Sequence, residues 1–278
     1  MSDIGVMSMQ RNESKYILEW FAYYLVQGVN KFVIYNHMSE DDTEDVYRRL
    51  AQHYDIDIHN MTGHNVHYPM LAHAVANYRD KLDWLIFADM DEFYMPLEKD
   101  SIAEVLTDYE NMPSSALGVY WTFFGNNGHM EDPEFVLPSY TKRAPIGHIL
   151  NHHMKPIVRG RGRDEINTTN PHVFTTSHGT QDMEGRLIAP HAGHNIHGES
   201  CHNVLRINHY WAKRWEYFKT KKQVRGSTAD RPPGAPGAEI PDDFWHQQNF
   251  NDEDDTIMVD RFWPKVQEQI QQLKEKIQ

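Results

Sequence analysis

The 278-residue sequence contains a single cysteine, Cys201, so it cannot form an intramolecular disulfide. It also lacks any apolar run approaching the roughly 20 residues that a membrane-spanning helix needs. Its first residues show neither the basic segment nor the apolar stretch of a secretion signal. These absences favour a soluble chain in a reducing compartment, and we expect a cytoplasmic protein without a transmembrane segment.

Positive charge is scarce. The sequence has 27 lysines and arginines against 40 aspartates and glutamates, which gives a formal net charge of -13. A surface of that sign repels the phosphates of DNA and RNA, so we expect no nucleic-acid partner. The basic residues that stand out form two short runs, Lys155 to Arg163 and Lys213 to Arg225. A small anionic ligand explains such local clusters better than a polyanion does.

Two glycine-rich phosphate-binding motifs are missing as well. No Gly-x-Gly-x-x-Gly follows the first predicted strand, and no Gly-x-x-x-x-Gly-Lys-Ser/Thr occurs anywhere in the sequence. Their absence argues against a dinucleotide-dependent dehydrogenase and against a P-loop enzyme. A nucleotide-binding α/β unit that relies on a metal ion instead of a glycine loop is among the few choices that remain.

Strand and helix patterns alternate through the first half of the chain. We predict strands at Ile4–Met9, Lys31–Tyr35 and Tyr54–Ile58 and from Trp84. Helices are predicted from Glu13 to Gly28, from a capping box at Ser39 and Asp42 to Leu50, and from Pro69 to about Lys81. This order is typical of βαβ units and predicts an α/β fold with a parallel sheet.

The last of these strands ends on two carboxylates. Five apolar residues, Trp84 to Ala88, precede Asp89 and Asp91, which fits a strand covered on both faces. Ligands of α/β sheets bind at the carboxyl ends of such strands, where carboxylates suit Mg²⁺ or Mn²⁺ together with a diphosphate. An acidic turn with no ligand is the alternative for so short a motif.

A series of short motifs runs in order through residues 1 to about 226. They are Gln10-Arg11-Asn12-Glu13, Leu18-Glu19-Trp20, Phe32-Val33-Ile34-Tyr35, Ser39-Glu40-Asp41-Asp42-Thr43, Asp89-Met90-Asp91-Glu92-Phe93, Gly125-Asn126-Asn127-Gly128-His129, Lys155-Pro156-Ile157-Val158-Arg159 and Ile207-Asn208-His209-Tyr210-Trp211. Together they resemble glycosyltransferases of the GT-A fold, of the family 2-like and family 92-like groups. Their order and spacing make this resemblance more specific than any one motif.

The resemblance implies a GT-A, Rossmann-like domain over residues 1–226, with a mixed, mainly parallel sheet flanked by helices. Residues 227–278 would add a Gly/Pro-rich loop and a C-terminal helical tail. Apolar residues in that tail fall at helical spacing, at Val266, Ile270, Leu273 and Ile277. This stripe should pack back on its own domain or against a partner subunit, so an oligomer formed through the terminal helix stays open.

In function, the resemblance implies metal-dependent transfer of a sugar from a nucleotide diphosphate sugar. The acceptor would be a hydroxyl of a glycan or a lipid-linked molecule, as in polysaccharide biosynthesis, and peripheral contact with a membrane is left open. A metal on the diphosphate would neutralise the charge of the leaving group. The implied ligands are Asp89, Asp91 and His209, and the histidine favours Mn²⁺ over Mg²⁺.

The donor nucleotide should lie over the ends of the first two strands. The resemblance implies contacts from Arg11, Asn12 and Glu13 after the first strand and from Asn36 after the second, with a further contact from Asp89. The family usually has an aspartate at the position of Asn36. Two basic residues three apart, Lys222 and Arg225, would close over the diphosphate.

An inverting transfer, which we expect, needs a carboxylate within reach of the acceptor hydroxyl. We predict Asp132 as that base, with Glu131, Asp164 and Glu165 as alternatives. A retaining reaction would need no such base. Two other readings stay open: a metallohydrolase or oxygenase that uses histidines from His172 to His202 with carboxylates, and a nucleotide-sugar-binding module without catalysis.

Overall fold

The computed structural model describes residues 2–162, 165–168, 171–189, 200–223 and 240–278. Its strands are β1 (Ile4–Gln10), β2 (Lys31–His37), β3 (Ile56–Met61), β4 (Trp84–Phe87), β5 (Glu92–Pro96), β6 (Ala116–Phe123), β7 (Lys142–Arg143), β8 (Met154–Arg159), β9 (Ile166–Asn167), β10 (Thr175–Thr176), β11 (Thr180–Gln181), β12 (Leu187–Ile188), β13 (Leu205–His209) and β14 (Glu253–Asp254). Its helices are α1 (Ile17–Val26), α2 (Thr43–Leu50), α3 (His67–Tyr78), α4 (Ile102–Thr107), α5 (Trp215–Tyr217), and the helices Asp242–Gln248, Ile257–Arg261 and Trp263–Lys276. A 3-10 turn covers Ile149–His152, and a π-helical turn, Phe218–Lys222, continues α5.

One large sheet organises the chain, with strands in the order β12-β11-β6-β8-β4-β1-β2-β3. Strands β3, β2, β1 and β4 are all parallel, whereas β8 runs antiparallel between β4 and β6. Strand β13 joins this sheet beside β6 and pairs antiparallel with β5 on its other edge. The α/β fold and the mainly parallel first half predicted from the sequence are therefore confirmed.

The parallel half is covered on both faces, which explains its continuous apolar strands. On one face, Trp20 and Phe21 of α1 pack with Phe32 of β2 in the larger hydrophobic cluster. On the other face, Met70 and Leu71 of α3 belong to a second cluster. All seven residues of β1 are buried as a result. The carboxyl ends of these strands thus become the accessible edge of the parallel half.

The terminal helix Trp263–Lys276 packs against α1. Its apolar residues Val266, Ile270 and Leu273 are fully buried in the same cluster as Trp20. The helical stripe predicted from the sequence is confirmed, and it is covered by the chain's own first helix. The alternative, an oligomer formed through this stripe, is not supported, because Val266, Ile270 and Leu273 are already buried within the chain.

Two local predictions are wrong in detail. The capping box at Ser39 and Asp42 does not form: the Ser39 hydroxyl accepts from the Asn12 backbone at 3.0 Å, and Asp41 accepts from the Thr43 backbone at the start of α2. Strand β3 begins at Ile56 instead of Tyr54, because the Tyr54 N–H still bonds the Leu50 carbonyl at the end of α2. In the part of the chain that the structure describes, no helix is both long and apolar enough to cross a bilayer.

Candidate active site

A cleft of about 930 Å³ opens beside the carboxyl end of β4. Strand β4 ends at Phe87, and the chain turns through Met90 and Asp91 before β5 begins at Glu92. Asp89 and Asp91 both line this cleft. The sheet thus delivers both carboxylates to its accessible edge, as the apolar run before them predicts.

Asp89 is held by a buried lysine. Its Oδ2 accepts from Lys155 Nζ at 2.9 Å, and the same ammonium lies 3.2 Å from Glu92 Oε2. Lys155 comes from β8, which neighbours β4, and its side chain is only 5% exposed. Burial would raise the pKa of Asp89, but Lys155 more than offsets it and lowers that pKa to about 2. Burial dominates at Glu92, whose pKa is raised.

Asp91 faces a different set of partners. Its Oδ2 contacts Lys222 Nζ and lies 3.7 Å from His209 Nε2. The residue is 4% exposed. Burial opposes ionisation, yet Lys222 and His209 together hold the pKa of Asp91 well below its usual range. The carboxylate therefore stays charged in a nearly dry environment.

His209 is positioned by the sheet and by aromatic rings. It ends β13, which pairs in parallel with β6 beside Phe123. Its imidazole lies 4.4 Å from the Trp121 ring centroid and 4.9 Å from that of Phe123. Within the described residues, His209 Nδ1 is buried without a hydrogen-bond partner. The ring is thus held by packing, with Nε2 facing Asp91.

The three predicted metal ligands are only partly assembled. Asp91 and His209 meet, whereas Asp89 Oδ2 is bonded to Lys155. No group of three or more histidine, cysteine or acidic residues suited to a metal occurs among the residues that the structure describes. A carboxylate and an imidazole nitrogen facing one another suit Mn²⁺ better than Mg²⁺, with water and phosphate completing the shell. The pair Asp91 and His209 therefore fits a divalent cation, with Asp89 beside it.

The donor contacts predicted after the first strand, Arg11, Asn12 and Glu13, line the cleft. Asn12 is also structural, because its Oδ1 accepts from the Glu40 backbone at 2.7 Å. Asn36 does not line the cleft. Its side-chain amide donates to Glu44 and Asn60, so the contact predicted for Asn36 is not supported.

Of the two basic residues predicted to close over a diphosphate, the structure describes Lys222. Lys222 lines the cleft from the π-helical turn Phe218–Lys222, and its neighbour Lys221 bonds the Asn12 carbonyl. Arg225 lies outside the described residues. The structure thus places one cation of the predicted pair beside Asp91.

The predicted base, Asp132, is not part of the cleft lining. Its carboxylate accepts from Lys15 at 2.6 Å and from the Tyr16 hydroxyl at 2.7 Å. Burial opposes ionisation, but these donors lower the pKa of Asp132, which weakens it as a proton acceptor. Of the alternatives, Glu131 and Glu165 are exposed and do not line the cleft, and Asp164 lies outside the described residues. The structure thus places Asp132 outside the cleft lining, paired with Lys15 and Tyr16, and does not support it as the base.

Sequence reasoning missed Lys155, Trp121 and His153 as site residues. A lysine between the apolar residues Met154 and Pro156 of strand β8 was the available signal, because a buried lysine needs an anionic partner. Trp121 and His153 line the cleft with their rings stacked at 18° and 5.2 Å between centroids. No signal in the sequence marked Trp121 and His153 as site residues, because their rings stack only when β6 and β8 are neighbours in the sheet.

The histidine-rich stretch does not supply a second centre among the described residues. His172 lines the cleft, but burial lowers its pKa to about 3. His202 is buried beside Thr122 and Ser200, away from the cleft lining. His191, His194 and His197 lie outside the described residues. The metallohydrolase or oxygenase alternative therefore has no ligand set in the described part of the chain.

Comparison with known proteins identifies relatives of this chain. A sequence profile of glycosyltransferase family 92 matches residues 5–232. A family 92 protein of Oryza sativa subsp. japonica is 28% identical over 228 residues, covering 80% of this chain and 35% of the relative. A family 92 protein of Ricinus communis is 25% identical over 276 residues, covering 93% and 46%. The chain thus spans between a third and a half of the length of these curated relatives.

Among solved structures, a fragment of S. aureus TarS (TarS 1-349) gives a TM-score of 0.37 at 17% identity, covering 56% of this chain and 47% of that one. The same fragment in complex with UDP gives 0.38 at 16% identity, over 56% and 46%. The family profile covers most of the sequence, including both aspartates, His209 and Lys222. The chain belongs to glycosyltransferase family 92.

Proposed function

We propose that this chain transfers a sugar from a nucleotide diphosphate sugar to a hydroxyl of a glycan or lipid-linked acceptor, with Mn²⁺ or Mg²⁺ as cofactor. The observation that carries the proposal is one cleft in which Asp89, Asp91, His209 and Lys222 converge at the end of β4. Family membership supplies the reaction class. Acidic ligands and a lysine in one cleft are the groups that a metal-bound diphosphate needs.

Asp91 and His209 would hold the cation, and Asp89 would hold it through water or bind the donor ribose. When bound, the cation would offset the charge that develops on the departing diphosphate. Lys155 keeps Asp89 ionised and fixes its orientation, since it bonds Asp89 and Glu92 from a buried strand. Arg11, Asn12 and Glu13 would lie along the nucleotide.

The acceptor would approach from the side of β6 and β8, opposite the ends of β1 and β2. The stacked rings of Trp121 and His153 offer an apolar wall for one face of a sugar. His153 Nδ1 lies 2.9 Å from the Leu150 carbonyl, which only accepts, so Nδ1 carries the proton in the neutral ring. The lone pair then resides on Nε2. For an inverting transfer, we propose His153 as the base in place of Asp132.

A panel of nucleotide sugars tests the proposal. Thermal unfolding is followed with each candidate, with and without Mn²⁺, and the true donor should raise the melting temperature by mass action. Release of nucleoside diphosphate from that donor, with and without sugar acceptors, then reports turnover. Stabilisation without any release would favour a binding module, and indifference to every nucleotide sugar would defeat the proposal.

The role of His153 has its own readout. His153→Asn should lower kcat while leaving the donor KM within about a factor of two or three, because the residue faces the acceptor. It should also remove the acidic limb of the pH–rate profile that a histidine base produces. A retained acidic limb would exclude His153 and leave the retaining mechanism open.

A further inference from the structure

We propose that Lys222 and the divalent cation bind the same oxygen, Oδ2 of Asp91, in turn. Binding of the cation would release the Lys222 ammonium from Asp91, and the ammonium would then pair with the donor diphosphate. This inference rests on the proposed function, because it assumes a cation at Asp91 and a diphosphate in the cleft. It adds a role that membership of the family does not assign. Before the metal binds, Lys222 would neutralise Asp91 in its place; after the metal binds, Lys222 would bind the donor.

The geometry that carries the proposal is the sharing of a single atom. Asp91 Oδ2 contacts Lys222 Nζ and is also the oxygen that lies 3.7 Å from His209 Nε2. A cation held by Asp91 and His209 would occupy the space between these two groups. The residue is 4% exposed, so there is little room for a second positive group at that oxygen. An ammonium and a metal ion that both contacted this oxygen would lie only a few ångströms apart.

Electrostatics makes this exclusion strong. Two positive charges a few ångströms apart in a poorly hydrated site repel one another strongly, because the effective dielectric constant there is far below that of water. Asp91 supplies one negative charge for both. A metal ion that binds at Asp91 must therefore displace Lys222, and the cost of that displacement weakens metal binding.

Lys222 is built to move without leaving the cleft. It lies at the end of the π-helical turn Phe218–Lys222, and its side chain is 21% exposed, against 5% for Lys155. Its Nζ also lies 5.5 Å from the Trp211 ring, at the wall of the cleft. A four-carbon side chain can swing from Asp91 toward a phosphate nearby while its backbone stays in place.

The test measures metal binding without any donor. Free Mn²⁺ is titrated by electron paramagnetic resonance against wild type, Lys222→Met and Lys219→Met. Lys219 is the matched control, because it lies on the same turn but pairs with Asp242 at 2.8 Å outside the cleft lining. We expect Lys222→Met to bind Mn²⁺ about tenfold more tightly than wild type, since the competing charge is gone. Lys219→Met should bind as wild type does.

Chemical labelling reports the movement itself. Acetylation of lysines is followed by mass spectrometry with and without Mg²⁺, and the rate at Lys222 should rise at least about threefold when Mg²⁺ is present, because its ion pair is broken. Lys155 should stay unreactive in both conditions, as its partners Asp89 and Glu92 are retained. Equal labelling of Lys222 with and without Mg²⁺ would contradict the exchange.

The outcomes separate this inference from the proposed function. Equal Mn²⁺ affinity in wild type and Lys222→Met, with binding lost in Lys222→Met/Asp91→Asn, would overturn the exchange while keeping the metal site. Absence of Mn²⁺ binding in wild type and Lys222→Met would overturn both the exchange and the metal-dependent mechanism. Unfolding curves of each variant, matched to wild type, exclude misfolding as the cause.

Discussion

Asp89 and Asp91 stand one residue apart on the same turn, yet each is neutralised by a lysine of a different kind. Asp89 pairs with Lys155, which β8 fixes inside the sheet and which Glu92 also engages. Asp91 pairs with Lys222 from a π-helical turn at the cleft wall. Both lysines line the cleft, but the first is fixed in a buried strand, whereas the second lies on a partly exposed turn.

This difference teaches how one motif serves two purposes. A carboxylate whose counter-ion comes from a buried strand is held in place, so Asp89 is suited to orienting a ligand. A carboxylate whose counter-ion sits on a short, partly exposed turn can exchange partners, so Asp91 is suited to binding a cation. Both stay ionised, because in each case a lysine offsets the burial that would otherwise raise the carboxyl pKa.

The largest expected effect is on turnover and comes from Asp91, whose lysine can exchange with a cation. Asp91→Asn removes the charge that a cation needs, and we expect turnover to fall by about a hundredfold to a thousandfold. Asp89→Asn should reduce turnover less, because Asp89 already shares its charge with Lys155. Donor consumption at saturating Mn²⁺ measures both. Equal losses in the two variants would mean that the aspartates do not divide the roles as proposed.

The fixed side should respond in stability. Lys155→Met leaves the buried Glu92 and the partly exposed Asp89 without their cation, and we expect the free energy of unfolding to fall by about 3 to 5 kcal/mol. Lys222→Met is the comparison: it also leaves a buried carboxylate, Asp91, without its lysine, but we expect a smaller loss because Lys222 is itself partly exposed and His209 stays beside Asp91. Urea unfolding followed by circular dichroism gives both values. Similar losses of unfolding free energy would mean that Lys155 is no more firmly fixed than Lys222.

A change at His209 should affect metal binding at Asp91 and leave Asp89 with its lysine. His209→Ala removes the second proposed ligand, and the Mn²⁺ concentration for half-maximal activity should rise roughly tenfold to a hundredfold. The donor KM at saturating Mn²⁺ should change little. Titrating Mn²⁺ at fixed donor, then donor at fixed Mn²⁺, separates the two quantities. An unchanged Mn²⁺ requirement would leave His209 as a packing residue held by Trp121 and Phe123.

Much of this fold could be predicted from the sequence, because hydrophobic period and strand ends are local signals. The apolar run before Asp89 predicted both a buried strand and a pair of carboxylates at its carboxyl end. The spacing of Val266, Ile270 and Leu273 predicted the terminal helix. The surface against which the terminal helix packs could not be predicted, because the apolar stripes of α1 and of the tail could each pack against other surfaces equally well.

The predicted site residues that lie outside the cleft lining depend on contacts between segments far apart in sequence. Asp132 had the right chemistry for a base, but its pairing with Lys15 and Tyr16 is set by how the chain returns to α1. Asn36 ends the right strand, but Glu44 and Asn60 occupy its amide. In both cases a polar residue was correctly placed at a loop or strand end, and a structural partner claimed it.

A third carboxylate shows what happens where no lysine is in contact. Glu19 in α1 is fully buried, and its two oxygens accept from the backbone N–H groups of Val136 and Leu137 at 2.8 and 2.7 Å. Burial raises the pKa of Glu19 to about 7, although those N–H donors and the more distant Lys213 act in the opposite direction. Hydrogen bonds alone thus do not replace the cation that Asp89 and Asp91 have.

The smallest effect we predict follows from this carboxylate. Because the pKa of Glu19 is higher in the folded protein than the usual 4.5, the folded state retains a proton that the unfolded state has lost, and stability falls as pH rises from about 4.5 to about 7. Glu19→Gln should remove about 1 to 2 kcal/mol of the difference in unfolding free energy between pH 5 and pH 7. Urea unfolding of both proteins at the two pH values measures it, and Glu104→Gln, an exposed-helix change, is the control. An unaltered pH dependence in Glu19→Gln would mean that backbone donors alone keep a buried carboxylate ionised, and the lysines beside Asp89 and Asp91 would then not be needed for charge.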